Sequence, residues 1–493
     1  MPYNNSNNFI KIQPPKARIK AIPQSARESI PLALWGIASI LALGGALSMF
    51  TTTVVNIAFS TISVQLNTSL DKTQWIATGY LVSLAAMAPL SGWASRRYGS
   101  SKLWLVCTVL FIIFSLSSAF STSIEFLTFF RVLQGISAGL LVPAGQILFI
   151  TVVGSKDLGR MIALLSIPAY LAPIAGIIFG SILTNDLGWP WLFLVNIPIS
   201  LLSFFLGFYW FPNEDVIYLQ RLDWLNLTLV TLSLPLLVYG TVDFGRSGGR
   251  LSTFESFVFF LGILLFIVFI INSWYSSEPL LNLKLFKSRS FFSVAVIIFC
   301  MGFVLFSAMV ILPMYYLEVR HETLMMTGLL TSPLALGTVV GLPLAGRLTD
   351  CTFGARLAFF GLIITVISTL PLSFLTETDS YFWISLIQII RGLGIGFTTT
   401  PIFTIGLTLV SQSQISHITP ILNMLHRLGG SFGTATMTAI VAFQLAFILP
   451  KSAILSEAIA YTHWYLSLVI LLILTPSLIL MKLELHNDKS FVA

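Results

Sequence analysis

Fourteen runs of apolar residues, each long enough to cross a hydrocarbon core as a helix, follow one another along the chain and leave little sequence for anything else. They fall at roughly 32–60, 73–95, 102–122, 125–153, 160–184, 189–211, 223–242, 253–275, 290–317, 323–346, 355–375, 381–409, 417–448 and 462–482, and a helix of about 20 residues spans a core of about 30 Å. In lipid each such helix must satisfy its own backbone hydrogen bonds, so the pattern predicts an all-α polytopic membrane protein. Charged residues make up only 9% of the chain against 56% hydrophobic, which excludes a soluble enzyme. Cys107, Cys300 and Cys351 form no disulfide framework and read as packing residues.

Positive charge sets the expected orientation. Residues 1–30 carry Lys11, Lys16, Arg18, Lys20 and Arg27 without a cleavage site, and read as a retained cytoplasmic tail. An even number of spans places both termini on one side. With that side cytoplasmic, 18 of the 26 Lys and Arg residues lie inside, five lie outside, and Arg131, Arg391 and Arg427 fall within spans. The loop carrying Arg246 and Arg250 runs against this rule.

The chain also repeats itself. Gly92-Trp93-Ala94-Ser95-Arg96-Arg97-Tyr98-Gly99 closes span two, and Gly346-Arg347-Leu348-Thr349-Asp350 closes span ten, 254 residues later. Arg131, Gly135 and Pro143 of span four are echoed by Arg391, Gly394 and Pro401 of span twelve, at offsets of 258 to 260. An offset of eight spans keeps the same membrane orientation, so the halves are parallel repeats with two extra helices between them. The expected division is a tail over 1–30, a six-helix bundle over 31–211, a linker with two extra helices over 212–288, a second six-helix bundle over 289–482 and a cytoplasmic tail over 483–493.

An ordered set of motifs resembles a known family. Arg131-Val132-Leu133-Gln134-Gly135, Ala172-Pro173 with Gly176 and Gly180, Trp189-Pro190-Trp191 with Asn196-Ile197-Pro198, and Asn423-Met424-Leu425-His426-Arg427 stand beside the two glycine-rich loops. Together they resemble the fourteen-helix drug:proton antiporters of the major facilitator superfamily, and Leu285-Phe286-Lys287-Ser288-Arg289 resembles their EmrB-type exporters. The resemblance implies a conformational role for Gly92, Arg97, Gly99, Pro173, Gly176, Gly180, Gly346 and Asp350. It also implies an acid where Arg96 stands, so a weaker latch is expected. In span one it implies an aspartate where this chain has Thr51, and a threonine can neither carry a proton nor answer a cationic drug.

The expected substrate and coupling residues follow. Arg131 lies deep in span four, where a charge costs several kcal/mol and faces protein interior or a wet cavity; Gln134 shares its face. Thr52 and Asn56 are four apart and share a face of span one. His426 lies about 15 Å into span thirteen by helical rise, with a reference pKa near physiological pH, beside Arg427; Asn423 shares the Arg427 face. Bland readings stay open at each position: helix-helix bonding for Thr52 and Asn56, and a packing role for Arg131 and His426. None of the nineteen Asp and Glu residues lies near the middle of a span. A positive cavity is therefore expected, one that disfavours organic cations and suits anionic or neutral amphiphiles.

The reading is a secondary transporter, not an enzyme, exporting small amphipathic compounds by alternating access. Protons are the expected coupling ion, and the lipid bilayer is its medium. The resemblance implies an inner-membrane location and partnership with a periplasmic adaptor and an outer-membrane channel. The alternatives are an uptake permease for an anionic nutrient or siderophore and a non-transporting membrane sensor. No phosphate-binding Gly-Lys-Ser/Thr loop, metal-ligand set or cofactor motif is present, and the basic tail is better explained by topology than by nucleic acid.

Overall fold

A computed structural model describes residues 32–154, 158–212, 222–246, 252–276, 279–351, 354–410, 414–445 and 455–491. The expected tail over 1–30 and most of the linker over 212–222 lie outside them. Among the described residues there is no strand. The helices are α1 (Leu32–Ile57), α2 (Phe59–Gln65), α3 (Leu70–Met87), α4 (Leu90–Tyr98), α5 (Ser100–Ala119), α6 (Ile124–Val153), α7 (Leu158–Asp186), α8 (Trp191–Leu194) and α9 (Asn196–Trp210). They continue as α10 (Trp224–Arg246), α11 (Thr253–Tyr275), α12 (Arg289–Met314), α13 (Leu324–Cys351), α14 (Gly354–Thr369), α15 (Tyr381–Thr408), α16 (Ile415–Phe443) and α17 (Leu455–Phe491).

Among the described residues, twelve helical segments are long and apolar enough to cross a bilayer, or thirteen when α3 and α4 are taken as one broken span. The remaining apolar run falls on α16, which is 29 residues long but carries His417, His426 and Arg427. Fourteen spans are thus compatible with the fold, although α16 does not qualify by apolarity. Span two is bent by 57° between α3 and α4. Pro89 stands at the break, where its missing N–H removes a helical hydrogen bond. The helix of span fourteen continues beyond its apolar part, which ends at Glu484, to Phe491.

In the first half α1 lies against α7 and α9, while α6 lies between α3 and α5. In the second, α12 lies against α16 and α17, and α15 between α13 and α14. The halves meet along α7 and α13, and again where α4 meets α16. The inserted pair is unequal: α10 packs on both α3 and α16, with Trp75 stacked on Tyr239 at 5.7 Å, whereas α11 lies mainly on α10.

Glycines set the closeness of these contacts, because lipid tails are as apolar as leucine and helices associate through close packing instead. A Cβ placed at Gly429 would fall on the Phe299 carbonyl, and one at Gly302 on that of His426, so α12 and α16 touch backbone to backbone. By contrast a Cβ at Gly45 meets nothing within 4 Å. Gly429→Ala is therefore expected to destabilise the protein by about 1–3 kcal/mol through overpacking, and Gly45→Ala to be neutral or stabilising by up to about 1 kcal/mol. Thermal unfolding of the two variants in detergent checks this; equal melting points would contradict it.

Candidate functional site

A cavity of about 200 Å³ lies between the halves, lined by α1, α6 and α7 from the first and α12, α15 and α16 from the second. These are spans one, four and five with their partners eight spans later. The cavity therefore sits on the axis that relates the repeats, where the sites of repeat-built transporters lie.

Its wall is mostly apolar and aromatic, with Phe149, Tyr170, Phe306 and Phe403. Polar side chains enter from α1 (Thr52, Thr53), α6 (Gln146), α7 (Ser166, Tyr170), α15 (Thr399) and α16 (Thr419, Asn423, His426, Arg427). The side chains four and three apart that line it from α16 follow helical periodicity: Thr419, Asn423, His426 and Arg427 share one face. His426 stands edge-on to Phe306 and Phe403, with ring centroids 5.8 and 6.2 Å away. Among the described residues, Arg427 is the one formally charged residue in the lining, and no carboxylate is part of it. The Tyr80 hydroxyl side interacts electrostatically with Arg427 on one hand and Arg131 on the other.

The predicted residues divide into two groups. Thr52, Asn423, His426 and Arg427 come together along the cavity. Asn56 lies one turn beyond Thr52 on the same face of α1 and is exposed. Arg131 and Gln134 are fully buried in the first bundle and do not line the cavity. Arg131 donates from Nε to the Ile76 carbonyl (3.2 Å), from Nη1 to Gln134 Oε1 (2.8 Å) and from Nη2 to the Thr51 carbonyl (3.3 Å). Its guanidinium also covers the Tyr80 ring at 4.1 Å. These contacts tie α6 to α1 and α3 and spread the charge over fixed dipoles. Its repeat partner Arg391 is equally buried, yet its three nitrogens have no hydrogen-bond partner among the described residues.

Gln146 is a lining residue that the sequence reading passed over. It accepts a hydrogen bond from Asn423 Nδ2 at 2.6 Å, joining α6 to α16. A lone amide inside an apolar span was the available signal.

Of the residues to which the resemblance gives a conformational role, Gly92, Arg97, Gly99, Gly346 and Asp350 lie toward the face where α4 ends and α7 begins, called here the latch face, whereas Pro173, Gly176 and Gly180 lie deeper along α7. Asp350 accepts from the backbone N–H groups of Gly159 (2.8 Å) and Arg160 (3.1 Å) and lies 3.8 Å from Arg160 Nε. It thereby caps the N-terminus of α7, where the helix dipole favours a negative charge. A Cβ at Gly346 would lie 2.7 Å from the Gly159 carbonyl, so only glycine allows this approach. In the other half Gly92 lies against the Ser416 carbonyl, and Arg96 donates to Ser416 Oγ at 3.1 Å. Gly99 takes a left-handed φ of 87° that turns the chain into α5, while Arg97 sits half-buried beside it. Pro173 lines the cavity, and Gly176 and Gly180 let α7 close on Thr53, Val54 and Ile57 of α1.

Removing the cap weakens the latch. Asp350→Ala is expected to cost about 1–2 kcal/mol, a five- to thirtyfold shift in the latch equilibrium. In a background with the native cysteines replaced, a charged thiol reagent at the latch face should label Thr419→Cys faster by that factor. Unchanged labelling would contradict the role of Asp350.

Residues 41–434 match the family model described as Major Facilitator Superfamily. The chain is 28% identical over 429 residues to the Multidrug resistance protein B homolog of Mycobacterium tuberculosis (strain ATCC 25618 / H37Rv), covering 86% of this chain and 79% of that one. It is 29% identical over 403 residues to the Multidrug export protein EmrB of Escherichia coli (strain K12), covering 81% and 78%. Among solved structures, the human organic anion transporter MFSD10 has a TM-score of 0.60 at 14% identity, covering 90% of this chain and 100% of that one. The proton:xylose symporter XylE has a TM-score of 0.62 at 13% identity, covering 92% and 96%. At such identities the solved structures speak for the fold alone.

Proposed function

The chain belongs to the major facilitator superfamily, and on that premise we propose that it exports small amphipathic compounds, anionic or neutral, by alternating access through the cavity between its halves. Relatives named as multidrug export proteins support the direction. The observation that carries the substrate preference is the lining itself: one arginine, no carboxylate and four aromatic rings. A cation entering this cavity meets like charge and gains no counterion, while an anion gains a guanidinium fork in a water-poor setting.

The two six-helix bundles over 31–211 and 289–482 are the moving bodies in this reading, with α10 and α11 as the insert. With the orientation derived from Lys and Arg counts, the latch face is cytoplasmic, both termini are cytoplasmic, and the contacts at Asp350, Ser416 and the Gln146–Asn423 pair close the cytoplasmic path. The membrane is the inner membrane, and a periplasmic adaptor with an outer-membrane channel would receive the substrate. Arg131 and Gln134 hold the first bundle rigid behind the site, and Thr52 and Asn56 mark the path outward along α1.

Proton exchange, the coupling that the family resemblance implies, is assigned to His426, the lining side chain whose reference pKa lies near neutral pH. In membrane vesicles, amphipathic anions should be exported and the lipophilic cation ethidium should not. Ethidium export with no transport of anions would overturn the charge preference. His426→Gln should lose the response to a pH gradient; a normal response would remove His426 from the coupling role.

A further inference from the structure

We propose that Arg427 anchors a singly charged amphipathic anion and that its export is electrogenic, driven by the membrane potential even at equal pH on the two sides. The inference rests on the export reading above and adds its energy source.

Arg427 forms no hydrogen bond or ion pair with a described residue, although it sits within a bundle and lines the cavity. Arg131 differs, since its donors are taken by Ile76, Thr51 and Gln134. The donors of Arg427 are therefore directed at whatever occupies the cavity. An arginine fork suits a carboxylate or sulfonate, two oxygens at a time. The rings of Phe306 and Phe403, which flank neighbouring His426, supply an apolar wall for the rest of such a molecule.

The charges around this position decide the energetics. The described carboxylates stand near helix ends or between helices, among them Glu125 at the start of α6, Asp223 before α10, Glu318 after α12, Asp350 at the end of α13 and Glu457 at the start of α17, while Glu484 stands at the end of the apolar part of α17. Asp350 is in addition committed to the start of α7. No carboxylate lines the cavity to take up a proton in exchange for the substrate. Over a complete cycle the protein returns to its starting state, so its fixed charges, Arg427 included, contribute nothing to the net transfer. What crosses is the charge of the anion. A proton moving inward through His426 would add charge of the same sense and could not cancel it.

A potential of 100 mV acting on one charge corresponds to roughly a 50-fold concentration ratio at equilibrium. The test uses the purified full-length chain in proteoliposomes at equal internal and external pH, with a potassium gradient and valinomycin setting a lumen-positive potential. A radiolabelled naphthalene sulfonate, anionic at all working pH values, is the probe. Expected is accumulation to that ratio or beyond it in the wild type, since an exchanged proton adds to the charge moved, with reversal of the potential driving the probe out. Arg427→Gln should lose the accumulation, and Arg427→Lys should retain part of it, which separates loss of charge from loss of fold; monodispersity of both variants is checked alongside.

Tracer exchange without any response to potential would overturn the electrogenic proposal while leaving anion transport standing. A full response in Arg427→Gln would remove the anchoring role. No flux of the sulfonate in a folded wild type would instead overturn the anion preference on which the proposal rests.

Discussion

A guanidinium in a bilayer is costly unless something answers it, and the way two of the three span arginines are answered organises this molecule. Isolated charge at that depth costs several kcal/mol, and dipoles and a ring receive it at Arg131 and the cavity at Arg427, whereas Arg391 is buried without a hydrogen-bond partner among the described residues. Arg131 is answered inside the first bundle by two backbone carbonyls, an amide and the face of Tyr80. Arg427 is left to the cavity. One is thereby suited to hold α1, α3 and α6 together, and the other to meet a substrate. Tyr80 stands between the two, its ring against one and its electrostatic influence reaching the other.

The same low-dielectric setting explains why the interfaces rest on glycine and on backbone. Between α12 and α16, and between α7 and α13, carbonyls approach positions where any side chain would collide. The first contact lies inside one bundle; the second joins the two halves, where the proposed alternating access needs a surface that parts and re-forms. Polar links between the halves include Asp350 on the start of α7, Arg96 on Ser416 and Asn423 on Gln146, and deeper in the cavity Tyr170 of α7 with Thr399 of α15. The acid missing at Arg96 is present in the repeat at Asp350. The two loops, alike in sequence, close by different chemistry: a capped helix terminus in one, and glycine contact with an arginine-hydroxyl bond in the other.

The span pattern, the repeat offset and the class of fold were legible because apolar length and recurring Gly, Arg and Pro positions survive in one dimension. The rotation of each helix was less so. When most faces of a span are apolar, a 3.6-residue period no longer says which side meets protein, and nothing in the sequence around Arg131 tells interior from cavity. His426 and Arg427 were easier, since α16 carries a polar stripe from Thr419 to Arg427. Gln146 was passed over because it stands alone, and its partner Asn423 lies 277 residues away. The bend at Pro89 was visible as a proline, but its 57° angle depends on the packing of α4 against α16 and α6.

Direct binding tests the role of the cavity apart from any transport cycle. The purified protein in detergent would be titrated with an aromatic sulfonate and with a quaternary ammonium compound built on the same ring, in the wild type and in Arg427→Gln. The account predicts saturable binding of the sulfonate to the wild type, weakened at least tenfold in the variant, and no saturable binding of the cation to the wild type. Equal affinity of the sulfonate for both proteins, or tighter binding of the cation to the wild type, would contradict it.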